Sequence, residues 1–100
     1  MNKDALVNAI EGCSYVIHVA NPLPGATKIS DEEMLRPAVE GTQSILEGCV
    51  RYGVKKLIVT SSLGTMVGGV WKKGTGDNHY TENDIAPPDG ADGYCRSKIA

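Results

Sequence analysis

Y-V-I-H-V-A, residues 15–20, and K-L-I-V-T-S, residues 56–61, are nearly continuous apolar and β-branched runs. A strand with one wet face alternates apolar and polar residues. A run without alternation marks a strand covered on both faces, as in parallel sheets. Between them, residues 31–52 repeat apolar positions at three/four spacing: Met34, Leu35, Ala38, Val39, Thr42, Ile45, Leu46, Cys49 and Val50. That spacing puts one stripe along a helix. Strand, loop, long helix, strand is a β-α-β unit, and such a crossover joins parallel neighbours. The fold class is α/β.

The flanks of this unit follow from local chemistry. Ser30 with Glu33 reads as a capping box, in which the serine oxygen accepts from the Glu33 amide. Gly53 is a left-handed stop for the same helix. Pro37 lacks a backbone donor, which predicts a kink or a helix that restarts near it. Upstream, residues 3–11 form a short helix with Ala5, Leu6, Ala9 and Ile10 on one face, Asn2 as cap and Gly12 as terminator. Asn21-Pro22 and Pro24-Gly25 break the chain after the first strand. From 63 to 92 glycine, proline and polar residues replace any pattern, and a loop of that length in a compact domain is usually functional or disordered. Residues from 94 onward turn helical again. Two strands needing cover on both faces, and a second neighbour each, do not find them in this many elements. The expectation is an excerpt of a larger sheet.

Composition narrows the partners. Hydrophobic residues make up 41% and charged residues 22%, with a formal net charge of −2. That balance is ordinary for a globular domain and gives no electrostatic case for nucleic acid or an anionic membrane. The cysteines, Cys13, Cys49 and Cys95, form no C-x-x-C pair, so free thiols in a reducing compartment are expected rather than a disulfide framework or zinc site. Neither His18 nor His79 has a partner at metal-ligand spacing, and no metal is expected. No apolar run approaches the roughly 18 residues of a membrane helix. The polar N-terminus is unlike a signal peptide, and a cytoplasmic protein is expected.

The chemistry gathers near the second strand and the last helix. Tyr94 and Lys98 are four apart, so they share one helix face. A phenol with a reference pKa of about 10 is a poor acid–base group at neutral pH, and an ammonium close by favours its phenolate. Ser62 follows a buried parallel strand, and in open α/β sheets ligands bind beyond the carboxyl ends of strands. A hydroxyl there can donate to a substrate carbonyl oxygen. Taken alone, Y-x-x-x-K is as well explained by a solvated helix face. Ser61 and Ser62 could equally be a polar strand end that bonds its own loop. The order buried strand, T-S-S, long loop, Y-x-x-x-K raises the catalytic reading. His18 falls at an alternating strand position and is read as structural. Trp71 and Tyr80 are read as loop packing, and Gly41-Thr42 as a close helix-to-sheet approach.

The stretches A-I-E-G-C-S-Y-V-I-H-V-A-N-P (9–22), R-P-A-V-E-G-T-Q-S-I-L (36–46), V-K-K-L-I-V-T-S-S-L-G-T (54–65), Y-T-E-N-D (80–84) and Y-C-R-S-K (94–98) together resemble the extended short-chain dehydrogenase/reductases. The likeness is strongest to the group of dihydroflavonol reductase, cinnamoyl-CoA reductase and 3β-hydroxysteroid dehydrogenase. It implies a fragment of a Rossmann doubly wound parallel sheet, with the two runs as strands four and five of the order 3-2-1-4-5-6. It further implies an NAD(P)-dependent oxidoreductase acting on a small carbonyl or alcohol, with NADP preferred and NAD possible. Tyr94 is then the general acid, Lys98 its activator and a ligand of the nicotinamide ribose, and Ser62 the carbonyl-orienting hydroxyl. Val19, Ala20, Thr60 and Ser61 line the cofactor. The family's glycine-rich phosphate-binding turn would precede residue 1, and most of its substrate region would follow residue 100. Residues 1–100 are thus expected to be a partial NAD(P)-binding domain, inactive alone. A nucleotide-sugar epimerase or dehydratase uses the same residues and is the alternative, as is a non-catalytic dinucleotide sensor. Substrate and oligomeric state stay open.

Overall fold

Helix α2, Asp31–Arg51, starts where the sequence provides a cap. The Ser30 oxygen accepts from the Glu33 amide at 3.2 Å, and the Glu33 carboxylate accepts from the Ser30 amide at 2.8 Å. The box therefore satisfies two backbone donors at once. The computed structural model describes residues 2–23, 25, 29–68, 80–81 and 83–100. Trp71 and His79 lie outside them. Pro37 sits inside one unbroken helix, and no restart occurs there. Its missing amide leaves the Glu33 carbonyl without its usual partner. Glu33 is exposed, so water can take that role.

The remaining elements are helix α1 (Lys3–Asn8), strand β1 (Tyr15–His18), strand β2 (Lys56–Val59), a short helix α3 (Gly64–Val67) and helix α4 (Gly93–Ile99). The strands are parallel, pairing Tyr15 with Lys56, Val16 with Leu57, Ile17 with Ile58 and His18 with Val59. The amide of Thr60 donates to the His18 carbonyl at 3.0 Å, which carries the ladder one step past β2. Both strands end earlier than the apolar runs that predict them. Residues 19–20 and 60–61 become the strand tips instead.

Helix α2 is the hub. Gly48 lets α1 come close: a Cβ there would stand 2.8 Å from Ile10 Cδ1 and 3.0 Å from the Val7 carbonyl. At its other end Gly93 lies against Asp31, where a Cβ would collide with the aspartate side chain. The buried stripe of α2 is Met34, Ala38, Gly41, Ser44, Gly48 and Cys49, all but Met34 small residues that permit this approach. Leu46 and Val50, read as core from spacing, are exposed, because the helices present cover only one side of a wide apolar stripe. Across residues 3–11 the buried residues are Val7 and Ile10, while Ala5 and Ala9 are exposed. The expected face was therefore rotated. The helix also ends at Asn8 and finishes in tighter i→i+3 turns, from Ile10 to Val7 and from Glu11 to Asn8.

The strands have one half-covered face and one bare face. Val16, His18 and Leu57 are half-buried, whereas Tyr15, Ile17, Val19 and Ile58 are open. Cover on both sheet faces is not provided by the described residues.

Candidate active site

The two strand tips and α4 converge at the carboxyl end of the sheet. Lys98 reaches from α4 to the tip of β2, donating from Nζ to the Thr60 carbonyl at 2.9 Å. An ammonium has three protons, so one such bond leaves two for a ligand. Lys98 stands between two clefts. The first, of about 400 Å³, is lined by His18, Ala20, Asn21, Thr60, Ser61 and Lys98, with helix α2 as its floor. The second, of about 560 Å³, is lined by Ser61, Ser62, Leu63, Met66, Ile85 and Lys98. One cleft is thus walled by hydroxyls, carbonyl-bearing strand tips and an ammonium. The other adds three large apolar side chains to the same serine–lysine edge.

Ser62 opens the turn into α3. Its Oγ accepts from the Gly64 amide at 3.1 Å, and its carbonyl accepts from Thr65 Oγ at 2.7 Å. Accepting uses a lone pair and leaves the hydroxyl proton to be donated. The serine is therefore oriented by its own loop and still able to act as a donor. Gly64 matters here. A Cβ at this position would lie 2.7 Å from Cys95 Sγ and 3.4 Å from Ser62 Oγ. Only a glycine lets α4 pack this close to the Ser62 turn. Burial and the neighbouring Asp92 carboxylate push the Cys95 thiol up, so it remains neutral packing.

Asp92 also starts α4, accepting from the Cys95 amide at 2.7 Å. Tyr94 is half-buried, one turn before Lys98 on the same helix. It lines neither of the two clefts. Ser61, Ser62 and Lys98 are brought together, Thr60 and Ala20 border the first cleft, and Val19 is exposed beside it. His18 is engaged: Thr42 Oγ donates its single proton to the Ala38 carbonyl at 2.8 Å, so His18 Nε2, 3.1 Å away, must be the donor between them. This bond ties β1 to α2.

Asn21 and Ser97 emerge as site residues that spacing did not single out. Asn21 Nδ2 donates to Ser97 Oγ at 3.1 Å, and that hydroxyl donates to the Tyr94 carbonyl at 2.7 Å. They are separated by 76 positions, and no local pattern joins them. Among the described residues no cluster of three or more metal-ligating side chains occurs, and the cysteines are free. No described helix is long and apolar enough to cross a membrane.

A parallel β-α-β unit whose strand tips meet a serine and a helix-borne lysine defines a class: an α/β domain with polar side chains gathered at the carboxyl end of its sheet. The chain belongs to the 3-beta hydroxysteroid dehydrogenase/isomerase family, whose model matches residues 1–99. It is 40% identical over 67 residues to tetraketide alpha-pyrone reductase 1 of Arabidopsis thaliana, covering 66% of this chain and 21% of that protein. It is 44% identical over 61 residues to dihydroflavonol 4-reductase of Gerbera hybrida, covering 60% and 17%. Anthocyanidin reductase of Arabidopsis thaliana is 32% identical over 62 residues, covering 61% and 18%. The chain thus spans about a fifth of the length of these relatives.

Proposed function

We propose that the chain is the catalytic segment of an NAD(P)-dependent carbonyl reductase, with β1 and β2 as strands four and five of a Rossmann sheet. Residues 1–100 then form part of its dinucleotide-binding domain. The observation that carries this reading is the placement of Lys98, bonded to the Thr60 carbonyl and shared by the two clefts at the strand tips. The reductase names of the relatives support it.

The donor set suits the nicotinamide end of a dinucleotide. Lys98 has protons to spare for ribose hydroxyls, and Ala20, Thr60 and Ser61 offer small side chains and backbone at the tips. The pyrophosphate end needs amides at a helix N-terminus after a glycine-rich turn, and residues 1–100 contain no such motif. NADPH is placed ahead of NADH on the resemblance set out above. The cofactor, when bound, supplies the hydride.

The chain's own residues handle the oxygen. Ser62, fixed by the Gly64 amide, donates its hydroxyl proton to the substrate carbonyl oxygen and holds it. Tyr94, which lines neither cleft, is assigned as the proton donor on the Y-x-x-x-K resemblance alone. Lys98 stabilises the negative charge that proton transfer leaves on the phenol. Leu63, Met66 and Ile85 suit a substrate with a flat apolar body beside its carbonyl.

The test uses the full-length protein containing this chain. NADPH oxidation is followed with a dihydroflavonol, an anthocyanidin and a tetraketide α-pyrone as substrates. Turnover is expected with at least one, and Tyr94→Phe should abolish most of it while NADPH binding holds. NADPH binding without turnover of any carbonyl overturns the reading in favour of a sensor. Wild-type kcat in Tyr94→Phe overturns the assignment of that residue.

A further inference from the structure

Helix α4 reaches the strand tips through polar side chains. Lys98 provides one attachment, to Thr60 beyond β2. The second lies beyond β1. The atom of Asn21 that stands 2.9 Å from the Pro22 carbonyl must be the amide nitrogen, since a carbonyl only accepts. The same nitrogen reaches Ser97 Oγ at 3.1 Å. Ser97 is 8% exposed, and its one proton goes to the Tyr94 carbonyl at 2.7 Å. The direction of every bond is therefore forced: Asn21 donates to Ser97, and Ser97 donates to Tyr94.

We propose that Asn21 is a positioning residue, which through Ser97 holds the Tyr94 turn of α4 against the tip of β1. This rests on the roles assigned to Tyr94 and Lys98. The two attachments act on adjacent residues, Ser97 and Lys98, from two neighbouring strands. Packing on α2 and α3 seats the helix, and these two bonds join its Ser97–Lys98 turn to the strand tips. A buried hydroxyl that loses its donor partner keeps its bond to Tyr94 but no longer links α4 to β1.

The test is made in the full-length protein with two readouts. Backbone amide exchange over residues 94–98 is expected to quicken about tenfold in Asn21→Ala, and kcat to fall on the order of tenfold, since small misplacements of reacting groups carry such costs. The melting temperature should stay near wild type, and the Kd for NADPH should rise by less than kcat falls. Asn21→Asp has the same shape and no proton to give, so it should fall with Asn21→Ala. Ser97→Thr keeps the hydroxyl and should retain activity, whereas Ser97→Ala loses it. The double variant Asn21→Ala/Ser97→Ala should be no worse than the poorer single. Wild-type exchange and kcat in Asn21→Ala overturn the inference, as does wild-type behaviour of Asn21→Asp or additive losses in the double variant. A wild-type protein without NADPH-linked turnover would sink the proposed function. The tether is then judged by the exchange readout, where unchanged rates refute it.

Discussion

Cys95 is 5% exposed, with its sulfur against Gly64 and its amide bonded to Asp92. Burial first, and then the Asp92 carboxylate, raise the thiol above its ordinary value. A raised folded pKa favours the protonated form, so this contribution to stability is present below the unfolded value and is lost as pH rises through the folded one. Alkylation at pH 8 should therefore separate the three thiols. Exposed Cys13 should react first, with buried Cys49 and Cys95 at least tenfold slower, as mass spectrometry of the timed reaction would show. Equal rates would contradict the packing of α4 on α3. Lys98→Ala should raise the Kd for NADPH and lower kcat together, because the one ammonium serves both clefts. The meeting of Ser62 and Lys98 in one cleft was legible in the order strand, T-S-S, long loop, Y-x-x-x-K. Gly64, Asn21 and Ser97 were not. Their roles arise from close approach and bond direction between segments far apart in the chain.

Helix α2 shows how far local chemistry reaches. Its capping box was readable because both partners lie within four residues. The Ser30 amide, and then the Ser30 hydroxyl, hold the exposed Glu33 carboxyl below the usual carboxylate value. A depressed folded pKa stabilises above the unfolded value, and that contribution disappears as pH falls through the folded value. Glu33→Gln should accordingly flatten the acid side of a stability–pH curve, read by chemical denaturation. Ser30→Ala should cost about 1 kcal/mol, as lost caps do. At Gly48 two effects oppose each other. Alanine would gain about 1 kcal/mol in helix propensity. It would also place a methyl 3.0 Å from the Val7 carbonyl, which only a shift of α1 relieves. Overpacking of this kind costs about 1–3 kcal/mol, so Gly48→Ala should be destabilising overall. What spacing could not reveal is which part of an apolar stripe is covered. Leu46 and Val50 share the periodicity of Met34 and Ala38, and only the placement of α1 and α4 separates them. Helix α3 escaped notice because four residues display no period.

At the scale of the whole molecule, the described residues leave one sheet face without cover. Tyr15 is 66% exposed, Ile17 68%, Val19 62% and Ile58 52%. The pairing of Ile17 with Ile58 puts these side chains on the same side of a two-stranded sheet, and such a sheet is marginal in water unless its face is covered. The unbroken apolar runs had implied cover on both sides, and the relatives are about five times longer than the stretches matched. Further chain in the full-length protein would supply that cover. Ile17→Lys distinguishes the two situations. In the 100-residue chain alone the position is open, so lysine should leave secondary structure unchanged and reduce aggregation. In the full-length protein the same lysine would be an unpaired charge beneath other elements, costing about 3–5 kcal/mol and lowering the denaturation midpoint sharply. The comparison needs only circular dichroism, light scattering and urea unfolding of the two proteins with and without the substitution. A neutral Ile17→Lys in the longer protein would mean that this face is solvent in both. The β-α-β unit would then be an isolated module, and the sheet assignment behind the proposed function would lose its basis.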